Sequence, residues 1–492
     1  MGIAKIQNQI KSLESEKKKD YEAIVDTYIA LAMAIREAED WLKAEEAAET
    51  AIKIAKKIKD KFIRNIKYAE ANEAIGSIYE IVEEYSKAIK FLDESLDELE
   101  ENLTALIKEK TKLAPEDIVR YSTLTKSLYV DYLKRKIEIL LESKDEKKAR
   151  ECIIKPFEKY FKTKDPKYFE NLAFLADINI FLADRLKDTE GLVSGIAELT
   201  LLNFFAKKFS DDEKYWSNKL HRDIREKCKR LVEVLNIPID EQILGKETLN
   251  ILKLIELETK DHMYIDKILE LKKSDDYKKN IEELIEIIEA IKNDEAASIV
   301  LSLAENELIM SLAQQNEYHE AFEKAKEISK GIKRIKNKIV KNFMLGEVQL
   351  NLFRVNIKRQ DYKQAEKEAK KAIEFYEDNI NTIVHACFTI LELASCYMIQ
   401  GRFDKAESLL ERPIEISGQI GSSEFLARLY ELLGGIKLKL DNYHAAAMDF
   451  GASALFYLIS DDSTKYQEFL TLAVNLYNEY LKSKGFSGVK FD

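Results

Sequence analysis

Histidine, cysteine and carboxylate are the groups best able to do chemistry near neutral pH, and this 492-residue chain carries five histidines and four cysteines. His221, His262, His319, His385 and His444 lie far apart, and no pair has the spacing of metal ligands. Cys152, Cys228, Cys387 and Cys396 form no C-x-x-C pair, which fits small core residues in a reducing cytosol. H-E-x-x-H, G-x-x-x-x-G-K-[ST] and G-x-G-x-x-G are all absent. Gly191 and Gly195, four apart, read as a helix contact or a local turn. The expectation is a chain with no catalytic residue, metal or cofactor, and no enzymatic activity.

What the sequence does repeat is structural. Asn316-Glu317-Tyr318-His319-Glu320-Ala321, Gln360-Asp361-Tyr362-Lys363-Gln364-Ala365, Gly401-Arg402-Phe403-Asp404-Lys405-Ala406 and Asp441-Asn442-Tyr443-His444-Ala445-Ala446 share one plan. Each sets an aromatic three residues before an alanine, just after a polar break. Ala321, Ala365, Ala406 and Ala446 stand 44, 41 and 40 residues apart, and recurrence of this kind marks an array. Apolar residues flank each block at helical spacing, such as Leu308, Ile309 and Leu312 before Ala321. The pattern predicts helical hairpins, with the alanine at the closest approach and the aromatic filling the turn. Ala44 and Ala88, preceded by Trp41 and Tyr85, repeat the plan near the N-terminus. Asp276-Tyr277-Lys278-Lys279-Asn280 reads as an imperfect member with Asn280 in the alanine's place. A single hairpin cannot bury its apolar stripe, so neighbours must stack.

Phe388-Thr389-Ile390-Leu391-Glu392-Leu393-Ala394-Ser395-Cys396-Tyr397, running on to Gly401, Phe403 and Ala406, resembles the tetratricopeptide repeat family. The family's period is 34, so the resemblance is to a long-helix variant with a period near 41. It implies an all-α fold, an α-α superhelix (solenoid) of antiparallel hairpins, whose first helices line a concave groove. Carried onto this sequence, the C-terminal groove holds Asn306, Met310, Asn351, Arg354, Lys358, Phe388, Leu391, Ser395 and Arg428. The N-terminal groove holds Asp26, Glu70, Glu73 and Glu80, an acidic line that favours a basic segment of a partner. One subfamily grips acidic chaperone tails through a lysine–asparagine–asparagine–lysine–arginine clamp. The expected positions here carry Asn306, Met310, Asn351, Phe388 and Glu392, so that clamp is absent.

Composition agrees with long helices. At 46% hydrophobic and 34% charged the chain is expected to fold, and 15 glycines with five prolines are too few for an all-β protein. The net charge of −11 disfavours a general nucleic-acid binder. No stretch approaches the roughly 20 apolar residues of a membrane span, and no signal peptide opens the chain. The expected organisation is an N-terminal array over 1–110, an irregular helical middle region over 111–245, a C-terminal array over 246–482 and a mobile tail over 483–492. The Asn236–Gly245 stretch is the expected boundary. Function is expected to be that of a cytoplasmic protein-interaction scaffold binding peptide or helical segments. A peptide-responsive allosteric regulator and an adaptor resembling soluble attachment proteins are the alternatives, and homo-oligomers stay open.

Overall fold

The computed structural model describes residues 2–486, except 110–112, 166–167, 210–212, 236–254, 256–258, 260–263, 295–296, 333, 378–381 and 416–421. The described residues form 21 α-helices and no strands. Two compact units divide them, Met1–His221 with Gly485–Gly488, and Arg222–Lys484 with Val489–Asp492. The stretch 236–245, read from the sequence as a boundary, lies outside the described residues.

Unit 1 runs through α1 (Ile3–Ser15), α2 (Tyr21–Glu37), α3 (Trp41–Ala55), α4 (Lys61–Ile81), α5 (Tyr85–Glu109), α6 (Pro115–Glu142), α7 (Glu146–Lys162), α8 (Phe169–Leu186) and α9 (Thr189–Phe209). Helix α10 (Glu213–Val234) contains the point of division. Each helix from α1 to α9 packs on the next, and α2, α4, α6 and α8 also pack on one another in turn. Residues 115–209 therefore continue the hairpin plan where the sequence pattern fades. Unit 2 holds α11 (Ile265–Lys272), α12 (Tyr277–Ile291), α13 (Ser298–Gln314), α14 (Tyr318–Ile332), α15 (Lys338–Lys358), α16 (Tyr362–Glu377), α17 (Ile383–Ile399), α18 (Phe403–Glu415), α19 (Ser423–Lys439), α20 (Tyr443–Ile459) and α21 (Ser463–Ser483).

One turn recurs throughout. Glu39, Glu83, Lys144, Asn316, Gln360, Gly401 and Asp441 all adopt the left-handed conformation, with φ between 55° and 72°. Each stands five residues before an alanine that is 0% exposed: Ala44, Ala88, Ala149, Ala321, Ala365, Ala406 or Ala446. The following amide donates to the carbonyl five residues back, as Asp361 does to Asn356 at 2.9 Å and Arg402 to Tyr397 at 2.9 Å. That bond closes the outgoing helix as a Schellman motif. The same following residue then caps the next helix: the side chains of Asp40, Asp145, Asp361 and Asn442 accept from amides three residues on. Two residues thus end one helix and start another, which forces the helices antiparallel and close.

The alanine sits where they come closest. In the α4–α5 hairpin a Cβ on Gly76 would lie 3.3 Å from the Ala88 carbonyl oxygen, so both helices carry a small residue at the crossing. Hairpins in both units share a further contact seven residues after the alanine. Ser95 donates to the Ala69 carbonyl and Ser453 to the Ala427 carbonyl, each at 2.9 Å. Asn280, in the alanine's place, is buried and donates to the Leu271 and Ser274 carbonyls at 3.0 and 3.1 Å. A buried amide there ties down the end of the preceding helix instead of merely making room. Gly195 is a helix contact, because a Cβ there would meet Ile180 at 3.0 Å.

The aromatic of each block behaves differently from the sequence expectation. Tyr318, Tyr362 and Phe403 are half-buried and Tyr443 is 37% exposed, so none of these four rings is fully enclosed, while Trp41 is half-buried against the core of its hairpin. At the other end, Phe486, from the segment read as a tail, is 3% exposed and stacks 5.6 Å from Phe169 within unit 1.

Three substitutions test this account. Gly401→Ala meets no atom within 4 Å, so its cost is conformational alone, about 1 kcal/mol, while Gln360→Gly should gain a similar amount. Ala406→Leu should overpack its crossing and cost about 1–3 kcal/mol. Urea denaturation midpoints read all three signs.

Candidate functional site

The first helices of successive hairpins lie side by side, and their polar side chains pair across the gap. In unit 1, the Lys67 ammonium on α4 sits 2.6 Å from Asp26 on α2 and 2.9 Å from Glu70 on its own helix. Arg135 on α6 holds both remaining acids of the expected line, with its Nε 2.7 Å from Glu80 and its guanidinium also paired to Glu73. Asp26, Glu70, Glu73 and Glu80 therefore do converge in two pairs, but each pair already contains a cation of the same chain. Burial raises the Glu70 carboxyl, with Lys67 pulling it partly back. Burial opposes the charge on Lys67, yet its hydrogen bonds to Asp26 and Glu70 outweigh that and raise its pKa. The pattern continues down unit 1, where Lys126 on α6 meets Glu170 on α8 at 2.6 Å.

Unit 2 uses amides and one Arg–carboxylate fork for the same purpose. Asn351 on α15 donates to the Asn306 side chain and carbonyl on α13 at 3.2 and 3.3 Å. Arg354 grips Glu392 on α17 through two nitrogens, with its Nε at 2.9 Å, and Lys358 donates to Gln314. Met310 is half-buried on α13. Asn306, Asn351, Arg354 and Lys358 thus spend at least part of their bonding capacity holding one first helix against the next.

Farther along, Phe388, Leu391 and Ser395 on α17 and Arg428 on α19 border one open depression of about 560 Å³. Its walls also include Glu392 and Met398 of α17 and Glu431, Leu432 and Gly435 of α19. Phe450 and Tyr457 of α20 and Lys465 and Phe469 of α21 complete it. Phe469 stacks on Phe450 and Tyr457 at 5.8 and 5.4 Å, giving a rigid aromatic floor. Two adjacent glycines in α19 make room. A Cβ on Gly434 would lie 3.0 Å from the Phe450 ring, while one on Gly435 would approach the Met398 methyl at 3.1 Å. The result is a concave surface with an apolar base and a few polar groups at its rim, the usual make-up of a ligand or peptide site.

Sequence reasoning reached four of these residues and missed Lys67, Arg135, Gly435, Lys465 and Phe469. A glycine pair in mid-helix was the readable signal for Gly435, since glycine there costs stability unless something must come close. It also missed a buried polar cluster beside the amide pair. Tyr376, 0% exposed, donates to Glu347, and its ring occupies the space a Cβ on Gly346 would need. His385 lies against Phe343 at 5.0 Å, and burial lowers its pKa. Among the described residues no three His, Cys, Asp or Glu side chains gather as metal ligands. Cys228, Cys387 and Cys396 are buried, and burial pushes the first two thiols up to about 12. No described helix is long and apolar enough to cross a membrane.

Glu305 on α13 supplies a pH test. Burial holds its carboxyl up at about 7, with Lys324 opposing and Glu327 adding. The folded state thus binds this proton more tightly than the unfolded chain does. Its contribution to stability is present at low pH and is lost as pH rises from about 4.5 to about 7. Glu305→Gln should raise Tm at pH 8 and leave it unchanged at pH 4.

Comparison with known proteins adds nothing to the fold described above. No family model matches the chain. No curated protein matches it either. Among solved structures, a Rap protein complexed with competence and sporulation factor is 14% identical, covering 72% of this chain and 99% of that one at a TM-score of 0.30. The APC/C hetero-tetramer Cut9–Hcn1 is 11% identical, covering 96% and 98% at 0.22. A circular tandem repeat protein with novel repeat topology and enhanced subunit contact surfaces is 14% identical, covering 94% and 97% at 0.23. Superpositions this loose say nothing about what the present chain binds.

Proposed function

We propose that this protein is a non-enzymatic interaction scaffold, and that unit 2 takes a peptide or helical segment of a partner protein into the α17–α19–α21 depression. The carrying observation is the open apolar surface over Phe450 and Phe469, bordered by Phe388, Leu391, Ser395 and Arg428. Such a preformed surface binds without first ordering the scaffold, so less of the contact energy is lost to entropy. A long-helix tetratricopeptide type of array, with a period near 41 residues, is the architecture that goes with this reading. Cytoplasmic location fits four free thiols, three of them buried.

A basic segment at unit 1 is the weaker part of the proposal. Lys67 and Arg135 already stand among Asp26, Glu70, Glu73 and Glu80, so an incoming cation must displace them or settle for the residual charge. Homo-oligomers have no separate support.

Panning a phage-displayed library of random peptides against the full-length protein tests the site. Selected peptides should bind the wild type and lose about tenfold in affinity to Gly435→Leu, which fills the depression. Circular dichroism checks that this variant folds. Peptides that bind the variant equally well would place the surface elsewhere and sink the reading.

A further inference from the structure

We infer that the segment bound at the unit 2 depression is acidic: a bulky apolar side chain seated on Phe450 and Phe469, with an Asp or Glu beside it paired to Lys465. This rests on the proposal that the depression is a protein-binding site, and it adds which kind of segment fits.

The argument is an account of the charged groups around the rim. Two acids line it, and both are engaged. Glu392 is held by the Arg354 fork, and Glu431 accepts the Tyr457 hydroxyl at 2.9 Å. Two cations line it, and neither is firmly held. Arg428 pairs at 2.7 Å with Glu424, one turn back on the same helix, and both side chains are about half exposed (51% and 52%). Exposed pairs of that kind contribute little and open readily. Lys465 has no carboxylate within ion-pair distance among the described residues. Its ammonium lies 3.4 Å from the Tyr457 hydroxyl and 4.7 Å from the centre of that ring. Asp462, three residues before it, is turned to the backbone, where it accepts from the Lys465 amide at 3.0 Å, and Glu468, three residues after it, makes no ion pair with it.

The side chain of Lys465 therefore lies flat on an aromatic wall, with its charged end at the lip of an apolar hollow. An acid delivered there gains a cation that is already positioned and partly desolvated, and it breaks no existing ion pair. A basic segment would find Glu392 already paired to Arg354, leaving Glu431, which accepts only the neutral Tyr457 hydroxyl, as the one lining carboxylate open to it, and would face the two cations Arg428 and Lys465. The net charge of −11 does not reverse this preference. Near 0.15 M salt the screening length is about 8 Å, so charges beyond the rim count for little.

Fluorescence anisotropy on the full-length protein can decide, using labelled synthetic peptides with one fixed Phe. Neighbouring positions carry Glu, Gln or Lys, and every C-terminus is amidated so that only side-chain carboxylates are read. The Glu series should bind about three- to fivefold tighter than the Gln series, the worth of a half-exposed ion pair, and the Lys series weakest. Lys465→Met should erase the Glu-over-Gln preference while Phe-dependent binding remains, and Lys465→Glu should invert it. Equal binding of the Glu and Gln series, or a preference that survives Lys465→Met, overturns the acidic-segment inference and leaves the site itself standing. Binding indifferent to Gly435→Leu, or no binding by any series, overturns the site reading and this inference with it. Light scattering completes the set. A concentration-dependent dimer lost in Gly435→Leu would make a second copy of the chain the occupant and overturn the inference.

Discussion

Everything in this molecule depends on how closely two helices can approach at a buried alanine. A two-residue connection, one left-handed and one capping, leaves the paired helices almost no slack. The crossing must then be occupied by side chains small enough for backbone nearly to touch backbone. Ala44, Ala88, Ala149, Ala321, Ala365, Ala406 and Ala446 meet that demand at 0% exposure. Six of the seven turns place a side chain in the left-handed region, and only Gly401 avoids it. Strain of about 1 kcal/mol per turn is tolerated because the Schellman bond, the cap and the crossing all require that conformation together.

Hairpins formed this way must still be held in register with their neighbours, and here the two units use different chemistry. Unit 1 relies on ion pairs that bridge first helices, with Lys67 and Arg135 each serving two carboxylates. Unit 2 relies on the Asn306–Asn351 amide pair and the Arg354–Glu392 fork. Removing one partner of such half-buried groups leaves the other desolvated and unpaired, which costs more than the pair itself contributes. These contacts therefore specify spacing more than they add stability. They also consume the groups that a first-helix surface would otherwise offer to a ligand.

An open concave surface is left where that pairing thins out. Around α17, α19 and α21 aromatic and apolar residues form the base and a few charged ones the rim, and of the glycine pair in α19, Gly434 lets the Phe450 ring come close while Gly435 borders the hollow. An array of this kind can alter one such surface without disturbing the rest, because each repeat answers chiefly to its neighbours.

Periodicity alone was enough to establish helices, hairpins and the buried alanines, because small residues recurring at a helical crossing leave a direct mark on sequence. The caps were equally legible, since Asp and Asn at helix starts act within three residues of themselves. The two hairpins between Pro115 and Phe209 were much less so. Their turns keep the same backbone at Lys144 and Lys187, and backbone conformation does not dictate a side chain type. The burial of the aromatics was less legible for a related reason: their regular spacing is local, whereas how much of each ring is covered depends on the helices packed around it. Charge was the hardest to read. Asp26, Glu70, Glu73 and Glu80 look like an acidic face in sequence, but Arg135 comes from 55 residues beyond Glu80. Only the tertiary structure could bring that guanidinium to these acids. A pairing between separate helices is set by how they stack, and no local pattern records it.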